Sequence, residues 1–165
     1  MRLAPLQLGP VSYVVQLMRA ADREEIFALR NDDSPDNLAA EVFLRWGTLG
    51  WVAWHDEFPV AVFGATQLWP RCWMAWMFAT DNFPLVGFEV TRFIRRSMIP
   101  GLVERGALRC EARSIIGHTE AHRWLRESLG AIEEARLRRY GRNGEDFLVF
   151  RWDRPEHVQQ LDIVS

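Results

Sequence analysis

Residues 50–80, GWVAWHDEFPVAVFGATQLWPRCWMAWMFAT, decide the fold class. Three apolar runs, 50–56, 59–69 and 72–80, are separated by Asp-Glu-Phe ahead of Pro59 and by Pro70-Arg71. Apolar runs of this length bounded by turn residues read as consecutive strands of an antiparallel meander. The third is apolar from Cys72 to Ala79, as a central strand covered on both faces requires.

Upstream, the pattern turns helical. Residues 3–8 read as a short first strand that Pro5 confines to an edge, and Pro10 sits where a helix can start. Tyr13, Val14, Leu17 and Met18 recur at helical spacing. Asp22 with Glu25 three residues on has the form of a capping box, which predicts a second helix to about Arg30. After the polar loop 31–37, a third helical pattern runs from Asp36 or Asn37 through Val42, Phe43 and Trp46, and the character changes at Gly47.

Downstream, Val86, Val90, Phe93, Ile94, Met98 and Leu102 predict a helix over about 84–105, which Pro100-Gly101 should kink or divide. Residues 107–115 read as a strand, 118–130 as a helix closed by Gly130, and 131–141 with 145–152 as a hairpin around Arg142-Asn143-Gly144. The order is β-α-α-α-β-β-β-α-β-α-β-β. The long helix between the fourth and fifth strands makes that pair parallel in a mainly antiparallel sheet. The expected class is therefore α+β, with helices on both faces of a mixed sheet, as one domain over 1–153 and a tail over 154–165.

Composition narrows the function. The chain has 165 residues, 48% hydrophobic and 25% charged, which is ordinary globular usage. All 20 basic residues are Arg, so neither a Schiff-base lysine nor a P-loop lysine exists. Formal charge is −2, but it is unevenly spread. Residues 1–90 hold 6 Arg against 11 acids, and residues 91–154 hold 14 against 9. Such a dipole suits docking on a protein partner, whereas the interleaved acids argue against nucleic acid. The first 25 residues do not read as a signal peptide, and no run approaches a membrane span.

The strand and helix order, with a helix ending in Leu-Gly before a final hairpin, resembles the GCN5-related N-acetyltransferase (GNAT) fold. MRAADREEIFALR (18–30), WVAWHDEFPVAVFGA (51–65) and HTEAHRWLRESLGA (118–131) look, more narrowly, like the GNAT-like proteins of short-tailed phages, the internal virion protein A group. The family resemblance implies acetyl-coenzyme A in a V-shaped gap between the fourth and fifth strands. Its pyrophosphate would lie on backbone N–H groups of a glycine loop opening the long helix. Carried onto this chain, the resemblance puts cofactor contacts at Phe78, Ala79 and Thr80 and at Val86, Gly87 and Phe88.

Two family patterns are altered. The loop 80–93, TDNFPLVGFEVTRF, has one glycine and no arginine ahead of it, while Pro84 has no N–H and Asp81 and Glu89 carry like charge. In the segment matching N-x-x-A-x-x-x-Y, the acid tyrosine falls on Leu125 or Arg126, depending on the end from which it is counted. Glu111 and Asp81 remain as candidate general bases. The leading reading is a GNAT-like phage protein, catalytically silent or weak, acting as a virion-associated or assembly component. It would meet other protein subunits, but no membrane, in the host cytoplasm or packaged in a virion. The alternative is an active N-acetyltransferase that uses acetyl-coenzyme A on a small-molecule or protein amine.

Other features have plainer readings. His118 and His122, at i and i+4, form a helix-cap or surface pair rather than a metal site. Cys72 and Cys110 fall on adjacent strands as buried free thiols. Trp69, Trp73 and Trp76 belong to the core, with an interface as the alternative. Leu161, Ile163 and Val164 in the tail suggest docking on a partner.

Overall fold

The computed structural model describes residues 1–46 and 49–155. The tail apolar cluster and Gly47 lie outside the described residues. Strands β1 (Arg2–Pro5), β2 (Leu49–His55), β3 (Phe58–Trp69), β4 (Cys72–Ala79), β5 (Arg109–Ile115), β6 (Ile132–Leu137) and β7 (Phe147–Asp153) form one sheet in the order β1-β2-β3-β4-β5-β7-β6. Every neighbouring pair is antiparallel except β4 with β5. The mixed α+β class, its helices on both faces and its single parallel pair are thus as the sequence pattern requires.

Helices α1 (Leu8–Gln16), α2 (Ala20–Phe27) and α3 (Pro35–Glu41) cover one face, α3 running into a wide π-helical turn at Val42–Trp46. Val11, Val14 and Val15 of α1 and Leu38 of α3 pack there on Val52, Val62 and Phe78. Helices α4 (Gly87–Phe93) and α5 (Ile99–Glu104) are continuous through a second π turn, Ile94–Met98. They cover the other face, placing Val90, Ile94, Met98 and Leu102 on Phe63 and Trp73. Helix α6 (Thr119–Arg123), prolonged by a third π turn over Trp124–Ser128, packs Trp124 on this same face. The sheet is thereby sealed on both sides, with alternate residues of β4 feeding opposite cores.

Several local expectations change. The first strand stops at Pro5 and α1 begins at Leu8, so residues 6–8 are not strand. Pro100 does not divide the long helix. The wide turn just ahead of α5 loosens the hydrogen-bond ladder where proline cannot donate, and the helix continues. Gly130 ends the last helix at φ +71°, a left-handed position that favours glycine. β6 ends at Leu137, four residues short of the expected strand. Trp73 is buried, Trp76 stacks on Phe78, and Trp69 stands 61% exposed at the β3–β4 hairpin. Arg154 is buried and its N–H donates to the Leu108 carbonyl, so packing reaches one residue into the segment expected to be tail.

Candidate active site in the splayed strand gap

β4 and β5 pair only through Cys72, Trp73 and Met74 with Arg109, Cys110 and Glu111. Beyond that, β4 stays with β3 and β5 stays with β7 to their ends. The two strands therefore part, and a cavity of about 780 Å³ opens between them, reaching Met77, Phe83 and Trp124 on one side and Ile26, Trp46 and Tyr140 on the other. Parted strands leave edge N–H and C=O groups that need partners.

Helix α2 supplies those partners at the wide end. Asp22, 3% exposed, accepts the Ala79 N–H at 2.8 Å through Oδ2 and a bidentate pair from Arg19 at 2.9–3.0 Å. The Arg19 N–H in turn donates to the Ala79 carbonyl at 2.8 Å. One helical turn on, Glu25 Oε2 accepts the Ile115 N–H of β5 at 2.8 Å and the Ser114 hydroxyl at 2.6 Å. Two carboxylates spaced i, i+3 on one helix face thus bridge strands that no longer bridge each other. The capping box expected of Asp22 and Glu25 is absent. Arg19 is the N-cap, without a side-chain bond, because both carboxylates are engaged across the gap.

His118, at the N-cap of α6, stands between them. Its Nδ1 lies 3.3 Å from Glu25 Oε2 and its Nε2 lies 3.7 Å from Asp22 Oδ1. A carboxylate oxygen can only accept, so Nδ1 carries the proton and Nε2 is the basic nitrogen of the neutral ring. The hydrogen bond to Glu25 raises the imidazole pKa above 6.5, outweighing the opposing effect of burial. His122 behaves oppositely. It is buried, burial lowers its pKa, and its Nε2 lies 3.0 Å from the Ile115 carbonyl and 3.1 Å from Ser114 Oγ. Because that carbonyl must accept, Nε2 of His122 is a donor. The histidine pair is therefore internal, not on the surface. Among the described residues no three His, Cys, Asp or Glu side chains group as metal ligands.

The raised His118 pKa has a sign in stability. A group that binds its proton more tightly when folded stabilises the fold fully below its unfolded pKa, and that contribution fades as pH rises through the folded one. Urea unfolding of wild type and H118Q should therefore differ most below pH 6.5 and converge on the alkaline side. A gap that widens with pH would contradict the assignment.

At the opposite end of the cavity, a 3-10 turn over Phe83–Leu85 leads into α4. The Val90 N–H is the first to bond back, to Val86, so the N–H groups of Gly87, Phe88 and Glu89 have no acceptor among the described residues. A Cβ on Gly87 would sit 3.2 Å from the Phe83 ring. Acid precedes base in this helix, with Glu89 in the first turn and Arg92 in the last. Trp124 Nε1 donates to Thr91 Oγ1 at 2.9 Å, and its ring meets Phe83 edge-on, tying α6 to α4.

The residues singled out from the sequence are distributed unevenly around this cavity. The Thr80 N–H donates to Val60 O on β3, so by strand alternation Phe78 also faces β3, while Ala79 and Met77 turn their peptide groups to the gap. The peptide groups of Ala79 are both taken, by Asp22 and Arg19. Val86 is core, Gly87 opens the helix, and the Phe88 ring is 79% exposed. Glu111 is buried between Arg109 and Arg113, each bonded to its carboxylate, and so is not free to act as a base. Asp81 is exposed in the loop. Cys72 and Cys110 are buried free thiols, and burial pushes the Cys110 thiol up to about 12. Asp22, Glu25 and Ser114 carried no functional reading in the sequence. The signal of the two acids was their i, i+3 spacing, which a capping box shares, and Ser114 had none.

No family model matches the chain, and no curated protein matches it. Solved structures do. Ard1 from Thermoplasma volcanium superposes with a TM-score of 0.73 at 13% identity, over 94% of this chain and 98% of that one. Ribosomal-protein-alanine N-acetyltransferase from Brucella melitensis gives 0.69 at 14%, over 93% and 100%. The yncA protein of Salmonella typhimurium, solved with its cofactor acetyl-CoA, gives 0.71 at 15%, over 95% of each chain. At such identities the likeness shows the fold alone, and the chain has the fold of the GNAT acetyltransferases.

Proposed function

We propose that the chain is an N-acyltransferase that uses acetyl-coenzyme A, with the splayed gap as its active site. The observation that carries this reading is His118, a residue of the cavity wall whose Nδ1 is held by Glu25 while its Nε2 lies 3.7 Å from Asp22 Oδ1, beyond hydrogen-bond distance. Met77 would hold the acyl arm through its peptide groups, and the N–H groups of Gly87, Phe88 and Glu89 would face the diphosphate. When bound, the cofactor supplies an activated acyl carbonyl. His118 Nε2 takes the proton that an attacking amine gives up as the new C–N bond forms. Glu25 holds the ring in the required tautomer, and Asp22 and Glu25 together stabilise the imidazolium that results. Neither Leu125 nor Arg126 can protonate a leaving thiolate as a phenol would, so water supplies that proton.

Titration calorimetry with acetyl-coenzyme A, followed by thiol release against a panel of amines, tests this. Micromolar binding and release above blank are expected. Gly87→Val should weaken binding about tenfold, since the added carbons press on the Phe83 ring beside the free N–H groups.

Two observations support a second reading. The Trp124–Thr91 bond and the Phe83–Trp124 contact draw α6 towards the start of α4, and the first turn of α4 bears the acid Glu89, 3.5 Å from the Met1 ammonium, with no arginine in that turn. On that reading the chain is a GNAT-like phage protein with a silent cleft, a virion-associated or assembly component that meets other protein subunits in the host cytoplasm or in a particle. Absence of any heat with acetyl-coenzyme A would favour it over the enzyme.

A further inference from the structure

The cleft network continues past the groups that face the cavity. Glu25 Oε2 receives three donors, Ser114 Oγ at 2.6 Å, the Ile115 N–H at 2.8 Å and His118 Nδ1 at 3.3 Å, while Oε1 has no partner among the described residues. The shortest of the three belongs to Ser114, and the longest to His118. Ser114 is itself held in place. The His122 Nε2–H points at both the Ile115 carbonyl and Ser114 Oγ, which obliges the serine hydrogen to turn towards Glu25. His122 is buried, and its ring lies 5.4 Å from that of Phe150.

We infer that Ser114, fixed by His122, is a positioning residue that competes with His118 for one oxygen of Glu25 and so sets how tightly His118 holds its proton. This deepens the proposed reading of the site and rests on it for its catalytic meaning, although the competition itself is a property of the folded chain. A charge-assisted bond of 2.6 Å draws carboxylate charge away from a neighbour at 3.3 Å. Without it, the same oxygen serves His118 more fully and the imidazolium gains. The charged groups that face His118 are Asp22 and Glu25 on α2 and Arg19 at its N-cap. On its own helix His122 is coupled to it and Glu120 lines the same cavity, while β5 brings Arg113 to that cavity and the uncharged Ser114 hydroxyl and Ile115 peptide to Glu25.

The test is an NMR titration of the His118 ring in the full chain, which needs no catalysis. Ser114→Ala should move the His118 titration to higher pH by about half a unit, and His122→Phe, which keeps an aromatic ring beside Phe150 but loses the donor, should move it the same way by less. Ser114→Thr, which keeps the hydroxyl, should restore the wild-type value. If the chain is active, kcat/KM measured below the His118 pKa should fall about threefold in Ser114→Ala and recover at high pH. A His118 titration that stays put in folded Ser114→Ala, or moves to lower pH, overturns the inference. Failure of acetyl-coenzyme A to bind leaves the titration unaltered and bears only on the acyltransferase reading.

Discussion

On the proposed acyltransferase reading, replacing His118 with glutamine is expected to lower kcat for amine acetylation by about 10²–10⁴-fold and to leave acetyl-coenzyme A binding nearly unchanged. Glutamine can still donate one N–H to Glu25, so the carboxylate keeps a partner and the fold is little disturbed. What the variant lacks is a lone pair at the position of Nε2. The effect therefore falls on the chemical step rather than on cofactor affinity. The wild type carries a second signature. Its base form predominates only above the His118 pKa, which Glu25 raises from the ordinary imidazole value, so kcat/KM should climb with pH through that region. In H118Q the residual rate should lose that climb. A variant that retains a third or more of the wild-type rate, with the same pH profile, would move the proton acceptor elsewhere in the cavity.

The fold was legible because its signals are periodic. Cys72–Ala79 must be covered on both faces, and the helix from Gly87 to Glu104 forces β5 to run parallel to β4. Both follow from residue spacing. The site was legible only in part. The start of α4 was reached through the family resemblance, which singled out Val86, Gly87 and Phe88, whereas apolar spacing alone put the helix start at about 84, three residues ahead of Gly87. The carboxylate and histidine set could not be read in advance. Asp22 and Glu25 sit 57 and 90 residues from the peptide groups they accept, and nothing near them in sequence distinguishes a strand-bridging pair from a capping box. Likewise His118 and His122 share a spacing that suits a surface pair. Their separate roles arise only because β5 brings Ser114 and Ile115 beneath α6. Glu111 illustrates the converse. It is an acid on the right strand, but residues i−2 and i+2 are both Arg and engage its carboxylate.

Asp22→Ala is expected to destabilise the protein by about 3–5 kcal/mol, enough to lower Tm by about 10 °C in a chain of this size. The cost does not come from losing a favourable charge. Burial raises the Asp22 pKa against the pull of Arg19 and the Ala79 N–H, so the ionised carboxylate stabilises the fold little by itself. It comes from what is left behind, an Ala79 N–H at the open edge of β4 and an Arg19 guanidinium, mostly buried over the Phe83 ring, with no carboxylate to meet either. Asp22→Asn separates the two contributions. The amide oxygen still accepts from Ala79, and only the charge is gone, so the loss should be about 1–2 kcal/mol. Chemical denaturation of the two variants beside wild type gives the comparison. Equal losses would mean that the Arg19 charge, rather than the strand edge, is what Asp22 serves. A loss of under 1 kcal/mol in Asp22→Ala would mean that α2 does not hold the gap at all. The expected ordering, alanine well below asparagine, makes α2 the substitute for the hydrogen bonds that β4 and β5 give up in parting, and so the element that fixes the width of the cleft.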